Sequence, residues 1–238
     1  MISLTDELKK NSYPGRGIVI GKSKDGKKAV LAYFIMGRSA NSQNRIFEED
    51  GKGIRTALFD RTKAEDTSLI LYHPVRVIGN QTIVTNGDQT DTVFEGVGRG
   101  LPFEESLLSR FYEPDSPHFT PRISGILTFS DNDFHYQMNL IKKDAGAPED
   151  CLRTTWHYDR PVNGEGHFLH TYREEKEPLP SFCGSPKAVA VSGTAEEFAD
   201  AVWSSLNEKN RVSLFVRFID LSDRTTETKI INRHQLIS

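Results

Sequence analysis

Cysteine is nearly absent from this chain, and so is any long apolar run. The two cysteines among 238 residues, Cys151 and Cys183, stand far apart without C-x-x-C spacing. That excludes a disulfide framework and points to free thiols in a reducing compartment. No apolar stretch approaches the roughly 20 residues of a membrane span, and the opening segment MISLTDELKKNSY lacks the apolar core of a secretory signal. A cytoplasmic location is the expectation. Charge of one sign is not in excess either: 30 Lys and Arg against 33 Asp and Glu leave a net charge of -3, which gives no basis for broad nucleic-acid or membrane binding. There is no G-x-x-x-x-G-K-[ST] loop, no G-x-G-x-x-G between a strand and a helix, and no G-x-S-x-G elbow. ATP-driven phosphoryl transfer and NAD-dependent hydride transfer are therefore not indicated. Gly96, Gly98 and Gly100 recur, but read as a flexible turn. His167-x-x-His170 lacks the i, i+4 spacing of a helical zinc pair and has no acidic or cysteine partner in a known pattern, so no metal site is expected. Internal repeats, linkers and low-complexity tracts are missing too.

What is present suits a soluble globular protein: 37% hydrophobic and 26% charged residues, enough to bury a sizeable core, with one domain over residues 1–238 expected. Short β-branched runs dominate. Residues 18–21 and 29–35 flank Asp25-Gly26, a strong hairpin signal. Residues 123–129 and 134–141 form a second expected hairpin, and strands are expected over 54–59, 154–158, 167–172, 188–192, 212–219 and 229–232. Helices are expected over 4–10, over 103–111, and after Thr194, where Thr194-Ala195-Glu196-Glu197 is a capping box and Phe198, Val202, Trp203 and Leu206 form an apolar stripe. Hairpins early and a helix late, without βαβ alternation, indicate an α+β fold.

The polar residues gather at expected strand ends. Arg16 starts the first strand and Arg38 follows the second, so pairing brings them to one end of a sheet. Between Gly37 and Arg45 lies a loop of Ser39, Asn41, Ser42, Gln43 and Asn44. It reads either as a solvated loop or as an anion site, since guanidinium forks bind phosphate bidentately. The stretch LYHPVRVIGNQTIVTNGDQTD, residues 71–91, turns at Gly79-Asn80 and ends on Asn86, Gly87, Asp88, Gln89, Thr90 and Asp91. Its end reads as a binding loop or as the cap of a helix over 92–97, with Asp88 or Asp91 as N-cap. Further on, Glu113 and Asp115 sit in a segment stiffened by Pro114 and Pro117, and Thr120-Pro121-Arg122 leads into the next strand.

Five blocks in this order, YPGRGIVIGKSKDGKK, RSANSQNR, VIGNQTIVTNGDQTD, YEPDSPHFTPRI and GHFLHTY, resemble the archaeal-type inosine monophosphate (IMP) cyclohydrolases and their bacterial relatives. Residues 1–12 then form an N-terminal extension. The resemblance implies a four-layer αββα sandwich like that of N-terminal-nucleophile hydrolases, without self-processing. It implies ring closure of 5-formamidoimidazole-4-carboxamide ribonucleotide (FAICAR) to IMP with loss of water, the last step of purine biosynthesis, without metal or cofactor. Partners would be purine nucleotides (FAICAR, IMP and the aminoimidazole precursor AICAR), with no nucleic acid and no membrane, and a homo-oligomer is compatible with the sequence. Set against what ring closure needs, the resemblance implies roles. Arg16, Arg38 and Arg45 would hold the phosphate, or one of them would polarise the formyl oxygen. Tyr72 would donate a hydrogen bond or proton. Glu113 and Asp115 would accept a proton from the carboxamide nitrogen or hold ribose hydroxyls. Asn86, Gly87, Asp88 and Thr90 would read the carboxamide and ring edge, and Asn44 and Thr120 would add substrate contacts. Arg122 would serve the phosphate or pair with Asp115. Two other classes fit the same residues: a nucleotide-binding regulator without turnover, and an amidohydrolase acting on a related cyclic amide.

Overall fold

A computed structural model describes residues 1–63, 66–147 and 149–234. The Asp25-Gly26 turn joins β1 (Arg16–Lys22) to β2 (Lys28–Met36) in antiparallel register, Arg16 opposite Ile35. They lie inside a sheet completed by β10 (Glu165–His170), β11 (Lys187–Ala190), β12 (Arg211–Asp220) and β13 (Thr226–Asn232), in the order β11-β10-β1-β2-β12-β13. A second sheet runs β3-β4-β5-β6-β7-β8-β9, formed by Arg45–Asp50, Gly53–Leu58, Val75–Ile78, Gln81–Thr85, Arg122–Ser130, Asp133–Lys143 and Cys151–Tyr158. Among the described residues every pairing between these strands is antiparallel, in keeping with an α+β fold.

Strand alternation decides the layering. Ile18, Ile20, Leu31, Tyr33 and Phe215 of the first sheet pack against Ile54, Val84, Ile123, Leu127 and Leu140 of the second. The neighbouring residues Val19, Val30, Phe34 and Val216 face the other way and are covered by Leu4 and Leu8 of α1 (Leu4–Lys10) and Phe198 and Val202 of α5 (Ala195–Ser205). On the outer side of the second sheet, Ile83, Ile126 and Ile141 are covered by Val93 of α3 (Gln89–Gly98), Phe103 of α4 (Phe103–Ser106) and Leu107. The order is helices, sheet, sheet, helices. Each large apolar side chain removed from water contributes about 1.5–3 kcal/mol, so the inner layer, drawn from both sheets, and the helix-covered outer layers all contribute to cohesion. Thr194 caps α5 through the expected reciprocal box with Glu197.

Several elements depart from expectation. The helix over 103–111 stops at Ser106. The carbonyls beyond it are taken by arginines instead of helical N–H groups: Arg153 reaches those of Leu108 and Arg110, and Arg122 that of Phe111. Before Gly79-Asn80 the stretch from residue 71 is a strand only from Val75, because Thr56 captures the preceding turn by accepting from the Tyr72 amide and donating to the Ile70 carbonyl, both at 2.8 Å. The polar loop 37–45 contains a one-turn helix, α2 (Ala40–Gln43), held by a Ser39–Ser42 capping box. Helix α3 begins at Gln89 instead of Thr92, Asp88 makes no side-chain cap, and Gly96 and Gly98 are helical instead of in a turn. Among the described residues no helix is long and apolar enough to cross a membrane.

Candidate active site

The register gathers one set of strand ends: the starts of β1, β3, β5 and β7 and the ends of β2, β4, β6 and β8. Arg45, the first residue of β3, is fully buried. Its Nε donates to the Ser42 carbonyl at 2.8 Å, an acceptor presented by α2. Its two terminal nitrogens, like Nε of the buried Arg16, are enclosed without a hydrogen-bond partner. An unpaired buried donor costs about 1–3 kcal/mol, more when charged. Burial lowers the Arg45 pKa, and the like charge of Arg16 adds to that. Burial also opposes the Arg16 cation, yet the Glu113 charge prevails and raises its pKa.

Two phenols face these cations. The hydroxyls of Tyr33 on β2 and Tyr72 before β5 are 2.7 Å apart. Burial raises both tyrosine pKa values, while Arg45 and Arg16 pull that of Tyr72 back. Glu113 is 2% exposed. Burial pushes its carboxyl up to about 7, against the opposing charges of Arg16, Arg122 and Arg45, with Asp115 adding to the rise. A carboxyl poised near neutral pH inside a cationic pocket is suited to proton transfer.

The segment carrying Glu113 is held at its ends. The Glu113 amide donates to the Thr120 carbonyl at 2.9 Å. The Asp115 carboxylate accepts from the Thr120 amide at 2.6 Å and from the Thr120 hydroxyl, which also contacts the Tyr172 hydroxyl. Tyr172 in turn needs Gly15 at φ +77, because a Cβ there would lie 2.2 Å from the Thr171 hydroxyl and 2.5 Å from the Tyr172 ring. Asp115 and Thr120 thus face each other and hold the loop beneath Glu113.

Asn86, Gly87, Asp88 and Thr90 form an adjoining shelf. Asn86 donates to the Pro121 carbonyl and accepts from the Ile123 amide and Gln89. Thr90 shares its hydroxyl with Thr85 and the Gly87 carbonyl. Arg122 pairs with Asp88 at 2.8 Å and with Gln89 at 2.6 Å, so its ion-pair partner is Asp88 and not Asp115. Burial works against the Asp88 charge, but Arg110 and Arg122 hold its pKa below the usual carboxylate value. Gly87 lies against this group: an added Cβ would be 2.7 Å from Arg122 Nη1 and 3.5 Å from a Glu113 oxygen. Asn44 is set apart, tying β3 to the end of β4 through the Asp60 amide and carbonyl.

Arg38 is partly exposed. Its guanidinium lies over the Tyr13 ring at 5.2 Å and reaches His118 at 3.1 Å and Glu177 at 3.3 Å. His118 Nδ1 accepts from the Leu179 amide, and its Nε2 lies 3.5 Å from Glu177. Tyr33, His118, Tyr172 and Glu177 were not singled out from the sequence. Tyr33 sits in a run that reads as pure core, and only its hydroxyl signals otherwise. Among the described residues no group of three or more His, Cys, Asp and Glu is placed to hold a metal ion.

Residues 13–224 match the family model described as IMP cyclohydrolase-like protein. The chain is similar to proteins named IMP cyclohydrolase from three archaea. That of Methanococcus aeolicus is 26% identical over 188 residues, covering 70% of this chain and 92% of the relative. That of Methanococcus maripaludis is 31% identical over the same shares of both chains. That of Methanocaldococcus jannaschii is 27% identical over 221 residues, covering 91% of this chain and 98% of the relative.

Proposed function

Because this chain belongs to the IMP cyclohydrolase-like family, we propose that it closes the purine ring of FAICAR to IMP with release of water, without metal or cofactor. The observation that carries the reading is the open Arg45 guanidinium, buried beside the Tyr33–Tyr72 pair and Glu113. The nitrogen of a carboxamide attacks a formyl carbon on the same ring, a carbinolamine forms, and hydroxide with one ring-nitrogen proton departs as water. Because nucleophile and electrophile share one molecule, holding them together supplies much of the acceleration. Arg45 and Tyr72 are the donors for the formyl oxygen as it gains charge, a contribution of roughly 10²–10³-fold per donor. Glu113 takes the carboxamide proton and can return it to the leaving oxygen, worth roughly 10²–10⁴-fold. Arg16 fixes Glu113 by charge, and Arg38 meets the phosphate. Asp115, Thr120, Asn86, Gly87, Asp88, Thr90 and Arg122 shape the pocket through the contacts described above, with Asn44 steadying the strand that carries Arg45.

The same reading takes residues 1–238 as one unit whose layering is akin to that of N-terminal-nucleophile hydrolases, without self-processing. The test is formation of IMP from FAICAR by the purified protein, followed by absorbance. Turnover above the buffer rate that falls in Glu113→Gln is expected, and a rate equal to buffer ends the proposal.

A further inference from the structure

The end of the sandwich opposite this site also holds a cleft, of about 770 Å³. Its walls are the β3–β4 turn with Glu49 and Lys52, the β5–β6 turn, and the far halves of β12 and β13. Ligand sites commonly span about 300–1,000 Å³, so it is roomy enough for a nucleotide-sized molecule. Its floor is apolar, with Val77, Phe129 and Ile219, while Thr82, Thr226 and Thr228 bring hydroxyls.

The unusual residue is Arg217. It occupies an inward position on β12 between Phe215 and Ile219, both of which belong to the core between the sheets. Alternation alone calls for an apolar side chain there. The guanidinium is buried, which lowers its pKa. It is held by the Thr228 hydroxyl at 2.9 Å and the Lys52 carbonyl at 2.5 Å. Among the described residues no carboxylate forms an ion pair with it, and Glu49 acts on it only through space. A strut between the sheets would account for these two hydrogen bonds, but not for the further cations that line the same cleft. Arg224 lies over the Phe129 ring at 4.9 Å and also donates to the Leu221 and Asp131 carbonyls, and Lys52 lines the cleft. Three cations thus converge on a cavity that one carboxylate lines.

We propose that this cleft binds an organic anion of nucleotide size, with its phosphate or carboxylate held by Arg217, Arg224 and Lys52 and its body on the Val77–Phe129–Ile219 floor. Guanidinium groups in a partly desolvated cleft are the side chains that bind such anions most strongly. The inference stands apart from the proposed reaction, since it uses none of the groups at the other end.

The test is residue-resolved hydrogen exchange on the full chain with adenosine 5′-monophosphate as probe and inorganic phosphate as the second arm. Protection is expected at Lys52, Gln81 and Thr228 with the nucleotide. The affinity read there should fall about tenfold in Arg224→Gln and Lys52→Ala, the loss of one charge-assisted contact. Neither change removes a core side chain, and an unaltered exchange pattern without ligand verifies the fold. Absence of protection at millimolar nucleotide overturns the proposal. So does equal protection by phosphate alone, which would mean an adventitious ion only, or unchanged affinity in both variants.

Discussion

The hydroxyl oxygens of Tyr33 and Tyr72 are 2.7 Å apart, the first carried by one sheet and the second held against the other by Thr56. In such a pair one hydroxyl donates and the other keeps its proton for a third group. With Tyr33 as the donor, the Tyr72 proton is free for a ligand. Tyr72→Phe should lower kcat by roughly 10²-fold. Tyr33→Phe, which removes only the supporting bond, should lower kcat several-fold and cost about 1 kcal/mol of stability. Equal kinetic losses in the two variants would reverse the assignment of donor and acceptor.

With Glu113 as the base of the proposed reaction, the rate should depend on pH. Its folded pKa of about 7 stands above the ordinary 4.5, so the base form accumulates only as pH rises through neutrality. kcat/KM should climb from about pH 6 to about pH 8 and then level. Stability runs the other way: the folded state holds this proton more tightly than the unfolded state, so the group's contribution is complete below about 4.5 and is lost as pH rises through about 7. Glu113→Gln should abolish the climb in rate. It should also gain stability relative to the parent by on the order of 2–3 kcal/mol between about pH 5 and pH 8, as read by urea unfolding at each pH.

Arg45 is a charge kept at a cost. Replacing it with Met removes a buried cation with two unpaired nitrogens and fills similar volume, at the loss of the bond to Ser42. Exchanges of this kind are often neutral or stabilising. Arg45→Met should melt no lower than the parent without ligand, while IMP should no longer raise its melting temperature. Melting curves with and without IMP test both halves.

Glu177 pairs with Arg38 and His118, where the proposed function puts the substrate phosphate. It is exposed, so the ion pair is worth at most about 1 kcal/mol. Glu177→Gln should therefore lower KM for FAICAR two- to five-fold and leave kcat in place. A KM that rises instead would show the carboxylate assisting binding.

The parts of this molecule that follow from local pattern were legible. The Asp25-Gly26 hairpin, the 123–141 hairpin and the Thr194 box all appear where alternation and turn chemistry put them. Where tertiary partners override local preference, the sequence misleads. The helix over 103–111 loses its last turn to Arg122 and Arg153, side chains that lie distant in the chain until the fold forms. The site divides in the same way. Arg16, Arg38, Arg45, Tyr72 and Glu113 were named from strand ends and a family pattern, and the fold gathers them at one end of the two sheets. Tyr33 and Tyr172 are not legible as site residues, because a tyrosine in a strand or at its end carries no mark of what its hydroxyl meets. Asn44 and Asn86 carry binding-type side chains, yet spend them on backbone groups.

Arg16 and Tyr33 hang from one sheet, Arg45 from the other and Glu113 from the segment that leads into it, and the apolar seam together with cross-sheet bonds such as Tyr33–Tyr72 and Arg217 to the Lys52 carbonyl keeps the two halves facing. Neither half contains a working set. Heat inactivation should therefore coincide with melting of the whole molecule instead of preceding it, and excising either layer would leave fragments that no added ligand could restore separately.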